Sequence, residues 1–466
     1  MAKINKEFET ALESTYPSPS AAAKTKEYRN IQRGPTKLYD GRYAHNNPVN
    51  TTAPPIQLFN PAFAYFSSKA FDPEYTVPDE MLRNTQELMT KFAAIHANES
   101  DRRLDLVPLL AKVIKEPLLH AKSRSGNFEP NAVVVHSHDD IPVHLVVVEE
   151  KNEVGDGASD PSVQASFSFV HQTREDAELR LKCNCPTFLV AHAGPWLAVL
   201  GAVFTEKYII QRLTDFIWIP AHSALDDDQF LRIGRVMYAL SESVAQLRVW
   251  YDDVFECDEP PYDASYPTAH PRFYPTPDTY LRDEIPVRFK YERPLEHDAS
   301  CVTYLAKTKE DNPINVVVKF VTRYGEDVHR AMAEAGFAPK LLYYGKIDVV
   351  EGVPSYGGLR MVVMEYVDGK TAYGSLKLPP NFRQELTEAI EYCHKKGFVF
   401  CDLRKPNIMI TKDHKVQLID FDWAGRQGKV TYPVSISPTI HWPEGAQGLG
   451  PILKQHDLDM LARCCN

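Results

Sequence analysis

The chain has 466 residues, of which 44% are hydrophobic and 24% are charged, and its formal net charge is −10. This length is enough for two or three domains with their own cores, and the composition excludes disordered, collagen-like and coiled-coil proteins. The acidic balance argues against a general binder of nucleic acids or anionic membranes, although a local basic groove is compatible with it.

The N-terminus and the cysteines favour an intracellular protein, cytoplasmic or nuclear. Residues 1–6, MAKINK, carry lysines with no apolar stretch behind them, which does not fit a secretory signal. The cysteines are scattered, and the close pairs Cys183 with Cys185 and Cys464 with Cys465 lack a second pair at zinc-finger spacing. We therefore expect reduced thiols and no disulfide framework.

In chain order, the sequence predicts an extended arm followed by an α/β domain with a mixed sheet. Residues 1–60 are polar and interrupted by prolines, which favours the arm. Residues 61–251 alternate helical and strand patterns, with a helix predicted from Asp79 and strands predicted at 132–135 and 144–148. Further helices are expected over Asp105–Ile114 and around Asp228–Tyr251.

The longest uncharged run, residues 186–205, has the length of a membrane helix. His192, Gly194 and Pro195 interrupt it, and its halves TFLVAHAG and WLAVLGAVF are better interpreted as two buried strands around a Gly-Pro turn. The sequence therefore predicts no membrane partner.

A proline-rich segment, residues 252–287, is expected to link the first domain to a second domain over residues 288–466. In the second domain Lys319 stands inside the buried-strand pattern VVVKF, and buried lysines are rare unless they are paired. Another apolar strand starts at Met361, and a helix is predicted over Asn381–Lys396.

Three polar residues further along the chain have a spacing that indicates phosphate chemistry. Asp402 and Asn407 lie on one loop that enters a strand, and Asp420 ends the partner strand of the next hairpin. This arrangement gathers two carboxylates and an amide at one edge. Such a set suits a base for a hydroxyl nucleophile and oxygen ligands for Mg²⁺ on a nucleotide's phosphates, with Lys319 as the cation that holds those phosphates.

This region resembles the protein-kinase-like fold, and in particular the kinase-like domains of fungal proteins and Crinkler-type effectors. The resemblance implies ATP and Mg²⁺ as cofactors and a protein as substrate. It rests on five strings: VVKF at 317–320, YGEDVH at 324–329, APKLL at 338–342, CDLRKPN at 401–407 and DFDWAG at 420–425.

The resemblance also assigns roles to individual residues. Asp402 is similar to the catalytic-loop base, and Arg404 in the same loop is included among the catalytic residues. Lys319 is similar to the phosphate-binding lysine. Asn407 and Asp420 are similar to the two metal ligands.

Three more positions follow from the same resemblance. The hinge whose backbone meets adenine falls on residues 365–367, with Glu365 and Val367 as the contacts. Asp457 is similar to the aspartate that anchors the catalytic loop from a later helix.

Several positions depart from the usual kinase pattern. Phe400 stands where the catalytic loop has a histidine, and Asp422 stands where the DFG motif has its glycine. Asp422 restricts the loop and brings a carboxylate that can itself face the metal. Residues 288–323 contain no glycine, so the glycine-rich phosphate lid is missing. A catalytic-segment APE is absent as well.

The partner of the strand lysine is also open. Counted back from Pro339, the position of the helix-C glutamate falls on His329. The remaining candidates nearby are Glu326 and Glu334.

A second constellation lies in the first domain, where a predicted strand leads into Glu149-Glu150-Lys151. Residues i and i+2 of a strand point to the same face, so Glu149 and Lys151 project together. A carboxylate and a lysine placed in this way can hold a divalent ion and polarise water beside a phosphodiester. Gln164, on a helix that starts near Pro161, is expected to face back toward the strand end.

The order strand, E-x-K, helix, Q resembles the PD-(D/E)xK restriction-endonuclease-like fold over about residues 100–220. Asn131 stands where that fold has its upstream aspartate, and the acidic substitutes nearby are Glu129, Asp139 and Asp140. An asparagine there would cost one anionic metal ligand.

The sequence as a whole predicts an α+β protein in which an α/β domain, in one interpretation restriction-endonuclease-like, precedes a minimal bilobal kinase-like domain with a truncated C-lobe. The leading function is ATP- and Mg²⁺-dependent phosphoryl transfer to a hydroxyl, on protein Ser/Thr first and on a small molecule as the open variant. The alternatives are a pseudokinase or interaction protein that binds nucleotide, and thirdly a nuclease in the first domain. Nucleic acid is not favoured as a partner by the net charge.

Overall fold

The computed structural model describes residues 2–120, 130–138, 141–263, 269–296, 298–347, 356–375 and 377–465. The chain divides into two compact units. The first comprises residues 1–277, 297–301 and 350–357, and the second comprises residues 278–296, 302–349 and 358–466. Both units combine helices with sheets, so the predicted α+β class is confirmed.

The first unit is built from these helices and strands: α1 (Ala2–Glu13), α2 (Pro19–Ala22), α3 (Thr25–Ile31), α4 (Pro61–Lys69), α5 (Asp79–Phe92), α6 (Glu99–Ile114), β1 (Ala132–His138), β2 (Ile141–Lys151), α7 (Pro161–Glu175), α8 (Ala177–Lys182), β3 (Thr187–Ala193), β4 (Trp196–Phe204), β5 (Tyr208–Arg212), β6 (Ile217–Trp218) and α9 (Asp227–Glu256).

Its sheet is mixed, in the order β1-β2-β3-β4-β5, with β6 paired to β4. Strand β2 pairs with β1 in antiparallel and with β3 in parallel register, and α7 makes the connection between the parallel strands. Parallel neighbours need such a crossover, and the carboxyl end of β2 therefore lies beside the carboxyl end of β3. The acidic residues that end β2 are placed at this edge.

The uncharged run at residues 186–205 forms the two strands β3 and β4, as predicted. They pair in antiparallel register, and almost every residue in them is buried. Gly194 takes the turn with φ +53°, a conformation that glycine adopts without steric cost. Among the residues that the structure describes, no helix has the length and apolar composition needed to cross a membrane.

The N-terminal segment differs from the extended arm expected over residues 1–60. It contains the helices α1, α2 and α3, and the side chains of Phe8, Tyr28 and Leu38 are buried. The ring of Phe8 stacks on that of Phe204, with centroids 5.2 Å apart. The polar average composition of the segment did not reveal these few buried apolar side chains. They are enough to pack the segment against the sheet of the first unit.

The second unit is built from these strands and helices: β7 (Thr279–Arg282), β8 (Ile285–Pro294), β9 (Thr303–Thr308), β10 (Asn315–Val321), α10 (Glu326–Glu334), β11 (Leu341–Lys346), β12 (Arg360–Glu365), β13 (Gly369–Thr371), α11 (Phe382–Lys395), β14 (Phe398–Val399), β15 (Ile408–Thr411), β16 (Val416–Leu418), β17 (Gly425–Arg426) and α12 (Lys454–Cys464).

The linker expected over residues 252–287 does not have those bounds. Helix α9 continues to Glu256, and β7 pairs with β8 as part of the second unit, which starts at residue 278. Prolines in this segment set turns without preventing the short hairpin from forming, which is why composition alone misplaced the boundary.

The second unit consists of a sheet lobe and a mostly helical lobe. The sheet lobe is antiparallel, in the order β11-β12-β10-β9-β8-β7. The other lobe packs α11 and α12 around short hairpins, and its core includes Leu386, Ile390, Leu403 and Phe421. Strand β10 lies in the middle of the sheet, and this position determines where the side chain of Lys319 can go.

Candidate active site

Lys319 is the buried cation of the second unit. Strand β10 pairs Lys319 with Val362 on one side and with Thr303 on the other, so it lies between two strands and is only 8% exposed. Its Nζ donates a hydrogen bond of 2.8 Å to Oδ1 of Asp420 and lies 2.8 Å from Oδ1 of Asp422. The ammonium of Lys319 therefore reaches Asp420, a residue that the resemblance assigns to the metal.

The charges of this cluster are not balanced. Burial disfavours the ammonium of Lys319, but the two carboxylates outweigh it and raise its pKa above the ordinary value. Burial also disfavours an ionised Asp420, yet Lys319 lowers the pKa of this carboxyl below its usual value. Burial and the charge of Asp420 raise the pKa of Asp422 to about 7. One lysine for two acids leaves room for further positive charge.

The catalytic loop lies between β14 and β15 and arranges polar groups around Asp402, which is 5% exposed. Arg404 forms a bidentate pair with it, with Nε 2.6 Å from Oδ1 and Nη2 2.7 Å from Oδ2. Asn407 Nδ2 donates to Oδ2 of Asp402 and to its backbone oxygen, both at 2.9 Å. The carboxylate is thus fixed in direction by charge-assisted hydrogen bonds.

Asp457 of helix α12 holds the start of this loop. Its Oδ2 accepts a hydrogen bond of 2.8 Å from the N–H of Phe400, and its Oδ1 accepts one of 2.8 Å from the N–H of Cys401. Nε2 of His394 lies 3.0 Å from Oδ2. Cys401 has φ +82°, a conformation unusual for a residue with a side chain, and the two bonds to Asp457 hold the backbone there.

An aromatic stack connects helix α10 with the loop. The ring of His329 lies 4.4 Å from that of Phe421 and nearly parallel to it, and Phe400 meets Phe421 edge-on at 5.2 Å. His329 is fully buried between the hydroxyl of Tyr324 and the backbone oxygen of Pro339. Phe400 therefore replaces the usual histidine with an apolar contact.

The two glutamates considered as partners for Lys319 do not pair with it. Glu326 Oε1 lies 2.9 Å from Nη2 of Arg330, one turn further along α10, and Glu334 is exposed at the end of the same helix. The sequence considered Asp422 only as a residue facing the metal. Strand alternation offered no signal here, because Asp420 and Asp422 lie beyond the end of β16 and Asp420 has φ +70°.

The hinge residues lie at the edge of the sheet lobe. Glu365 ends β12, and its N–H donates to the oxygen of Lys340 at 3.0 Å. Val367 follows in the connection to β13. Strand β13, which follows the hinge, pairs with β15, and β15 starts directly after Asn407.

The oxygen donors near Asp420 fit a magnesium ion that also binds phosphate. The N–H of Ile419 donates to the backbone oxygen of Asn407 at 3.0 Å, which places Asn407 beside the residue that precedes Asp420. Carboxylate and amide oxygens are hard donors, and Mg²⁺ usually takes only one or two protein ligands when it binds a nucleotide.

In the first unit, the structure brings Glu149 and Gln164 together. Gln164 Nε2 donates to Oε2 of Glu149 at 2.7 Å, and Ser168 Oγ donates to Oε1 at 2.5 Å. Burial raises the pKa of Glu149 to about 7, against the effect of these two donors. Ser168 lies one helical turn after Gln164, so the helical period could have identified it.

Lys151 and Asn131 contact a residue that the sequence did not identify. Lys151 Nζ lies 3.6 Å from Oε2 of Glu99 on α6, and Asn131 Nδ2 donates a hydrogen bond of 3.1 Å to Oε1 of the same glutamate. Asn131 Oδ1 accepts from the N–H of Glu150 at 3.0 Å. The substitutes considered at 129, 139 and 140 lie outside the described residues.

This second cluster does not fit a divalent cation. Both oxygens of Glu149 accept hydrogen bonds from Gln164 and Ser168, and Asn131 brings no charge. Within the described ranges, no group of three or more His, Cys, Asp or Glu side chains is arranged to hold a metal ion.

Comparison with known proteins agrees with the geometry of the second unit. A family model described as the protein kinase domain matches residues 300–442. This range holds Lys319, the catalytic loop and Asp420, but not Asp457. The part of the second unit that holds the candidate site is therefore similar to a protein kinase domain, which supports a kinase-like phosphotransferase.

Three curated relatives are similar to part of the chain. A probable serine/threonine-protein kinase of Clostridium acetobutylicum is 26% identical over 35% of this chain and 27% of its own length. A probable serine/threonine-protein kinase of Streptomyces coelicolor is 34% identical over 19% of this chain and 15% of its own length. The serine/threonine-protein kinase PknG of Mycolicibacterium smegmatis is 30% identical over 32% of this chain and 21% of its own length. The chain thus spans about a quarter or less of these relatives' lengths.

Proposed function

We propose that the second unit transfers the terminal phosphoryl group of ATP to serine or threonine hydroxyls of a protein substrate. The observation that carries this proposal is the 2.8 Å contact between Lys319 and Asp420 across the two lobes of this unit. Phosphoryl transfer depends mainly on positioning and on neutralising charge, and this contact unites the phosphate-binding cation with the metal-binding acid. Serine/threonine specificity is supported by the relatives.

The residues divide the work as follows. Lys319 would hold the phosphates, Asn407 and Asp420 would hold magnesium, and the hinge at Glu365 and Val367 would receive the adenine. Bound magnesium would neutralise the charge that develops on the transferred group.

Asp402 acts on the substrate hydroxyl. It is the acceptor for the hydroxyl proton, and its direction is set by Asn407 at 2.9 Å and by Arg404. Arg404 donates one hydrogen bond to each carboxylate oxygen. A carboxylate oxygen accepts more than one hydrogen bond, so Asp402 can also accept from the substrate hydroxyl while Arg404 stays in place.

Transfer of labelled phosphate to a generic protein substrate or to the protein itself tests this function. Asp402→Ala and Asp420→Ala are expected to lose transfer by about a hundredfold or more, because a base or a metal ligand is removed. Glu149→Ala, in the other unit, serves as the control and should retain transfer. Equal activity of all three variants would refute the assignment.

A nucleotide-binding pseudokinase is the second candidate. Residues 288–323 carry no glycine to form a flexible phosphate lid, and Asp422 replaces the glycine that follows the metal-binding segment. This candidate predicts thermal stabilisation by ATP without any transfer. A protein that is not stabilised by nucleotide, with or without magnesium, would be neither an ATP-dependent kinase nor a nucleotide-binding pseudokinase.

For the first unit, we propose a restriction-endonuclease-like fold of the type that accompanies kinase-like domains in fungal and Crinkler-type proteins. The support is the order α6, β1, β2, α7, β3, the parallel pair β2 and β3, and the contact of Gln164 with Glu149 at 2.7 Å. Nuclease activity is the third candidate, and the two hydrogen bonds that engage Glu149 and the neutral Asn131 argue against it. Metal-dependent plasmid cleavage that requires Glu149 and Lys151 would reverse this judgement.

We further propose that the protein works inside the cell, in the cytoplasm or nucleus. The structure records no disulfide among the eight cysteines that it describes, and most of them are buried. Proteins of reducing compartments keep their cysteines in this state.

A further inference from the structure

Asp422 stands where the resembled kinases have a glycine, and its side chain contacts Lys319. Its Oδ1 lies 2.8 Å from Nζ of Lys319, the same distance as Oδ1 of Asp420. The side chain of Asp422 is 28% exposed and that of Lys319 is 10% exposed, so the pair lies at the inner wall of the site.

Helix α10 supplies no carboxylate to this lysine. In protein kinases the strand lysine is held by a glutamate from the corresponding helix. Among the described residues, the ion pairs of Lys319 are those with Asp420 and Asp422, while Glu326 pairs with Arg330. His329, at the expected glutamate position, is neutral in character because burial lowers its pKa to about 4.

Asp420 cannot serve as the lysine's only partner during the proposed reaction. A carboxylate that binds a divalent ion shares its negative charge with that ion, and its hold on a neighbouring ammonium weakens. Lys319 then needs a second anion that keeps the ammonium directed at the phosphates.

We propose that Asp422 is a positioning residue that anchors Lys319 in place of the helix-C glutamate. The role rests on the proposed phosphotransfer function, and Asp422 acts through Lys319 without contact to the reacting atoms. Asp420 is thereby left to the metal, and the same ammonium remains fixed while the nucleotide binds.

The backbone around Asp422 is rigid enough for this role. The oxygen of Phe421 accepts from the N–H of Gly325 at 2.9 Å and from that of Ala424 at 3.1 Å. The ring of Phe421 is held by His329, and Asp420 has φ +70°, which turns the chain so that both acids face one lysine. A carboxylate held in this way keeps its direction without a partner from helix α10.

The first experiment measures binding of a fluorescent ATP analogue with increasing Mg²⁺, using the full chain. Asp422→Asn is expected to weaken binding about tenfold, the size of one charge-assisted contact, and to raise the Mg²⁺ concentration needed for half-maximal binding. Asp422→Glu keeps the carboxylate and should recover part of the affinity. Glu326→Gln and the exposed-turn variant Asp413→Asn are matched controls that should bind like the wild type.

The second experiment needs no nucleotide. A double-mutant cycle with Lys319→Met and Asp422→Asn compares unfolding of the second unit by hydrogen exchange. Coupling of about fivefold or more in the unfolding equilibrium supports the direct pair, because residues in contact are not additive. Additive effects overturn the proposal even if both variants are destabilised.

The outcomes separate this proposal from the function on which it rests. If the wild type binds the analogue and Asp422→Asn binds it equally well, the positioning role is wrong and the kinase function stands. If Glu326→Gln weakens binding as much as Asp422→Asn, helix α10 is the anchor and the proposal is overturned. If the wild type itself binds no analogue, the phosphotransfer function is refuted together with the role that depends on it.

Discussion

The carboxylate of Asp457 accepts a hydrogen bond of 2.8 Å from the backbone N–H of Cys401. Asp457 lies on helix α12 near the end of the chain, whereas Cys401 directly precedes Asp402. The bond joins two distant parts of the second unit and holds Cys401 in its unusual conformation with φ +82°. The direction of the catalytic loop therefore depends on a residue outside the loop.

Removal of this anchor is expected to be costly. In Asp457→Ala the N–H groups of Phe400 and Cys401 lose their acceptor in a buried place, and each unsatisfied donor costs about 1–3 kcal/mol. We expect a loss of about 3 kcal/mol in the free energy of unfolding of the second unit, measured by hydrogen exchange of its peptides. Asp459→Ala, on the same helix and hydrogen-bonded to Gln455, is the control and should change stability by less than about 0.5 kcal/mol. Equal effects of the two variants would contradict the anchoring role.

Stability of the second unit should fall in mild acid because of His329. Burial lowers the pKa of His329 to about 4, whereas an unfolded histidine titrates near 6.5. The unfolded state therefore binds more protons between these values, so this contribution is complete above pH 6.5 and is lost as the pH falls toward 4. Over the whole interval it amounts to about 3 kcal/mol.

The comparison that isolates this histidine is His329→Gln. Its unfolding free energy should change less steeply between pH 6.5 and pH 4 than that of the wild type, even if the variant is less stable at every pH. The exposed His441→Gln should keep the wild-type slope. A wild-type slope in His329→Gln would show that other groups cause the acid sensitivity.

The sequence predicted some parts of this molecule well, for physical reasons that differ from one part to another. Lys319 is charged inside the buried strand β10, and Asp402, Asn407 and Asp420 are polar residues beside strand ends, so each stands out from the pattern of its own segment. The buried strands β3 and β4 were readable from two apolar runs around Gly194. These features depend on short-range patterns.

Other parts were beyond a reading of local pattern. Two ion pairs join residues far apart in the chain: Asp422 with Lys319, and Glu99 with Lys151. Packing alone decides which of several nearby acids contacts each lysine. The N-terminal arm was mispredicted because a few rings such as Phe8 determine its fold, while composition averages them away.

Gly325 should not tolerate even one additional carbon. Its N–H donates a hydrogen bond to the backbone oxygen of Phe421, and a Cβ at this position would lie 2.4 Å from the backbone oxygen of Ala424. Its φ is −86°, so backbone strain is not involved and the clash alone decides. Gly325→Ala is expected to lose about 2 kcal/mol in the free energy of unfolding of the second unit, the usual cost of overpacking. Gly374→Ala meets its nearest neighbour, Thr371 Oγ1, at an ordinary 3.5 Å and is the matched control.

Arg272 is the residue of the first unit that we expect to be most sensitive to a conservative change. It is 3% exposed, its Nη1 donates 2.9 Å to the oxygen of Thr205, and its Nη2 donates 2.9 Å to that of Phe204. The guanidinium also lies 4.3 Å from the ring centroid of Phe8. Lysine keeps the charge but loses the planar fork that reaches two carbonyls and stacks on a ring, so Arg272→Lys should cost about 2–3 kcal/mol in unfolding of the first unit, measured by hydrogen exchange. The exposed Arg83→Lys on α5 should change nothing measurable, and a comparable loss in both variants would mean that buried geometry is not what distinguishes Arg272.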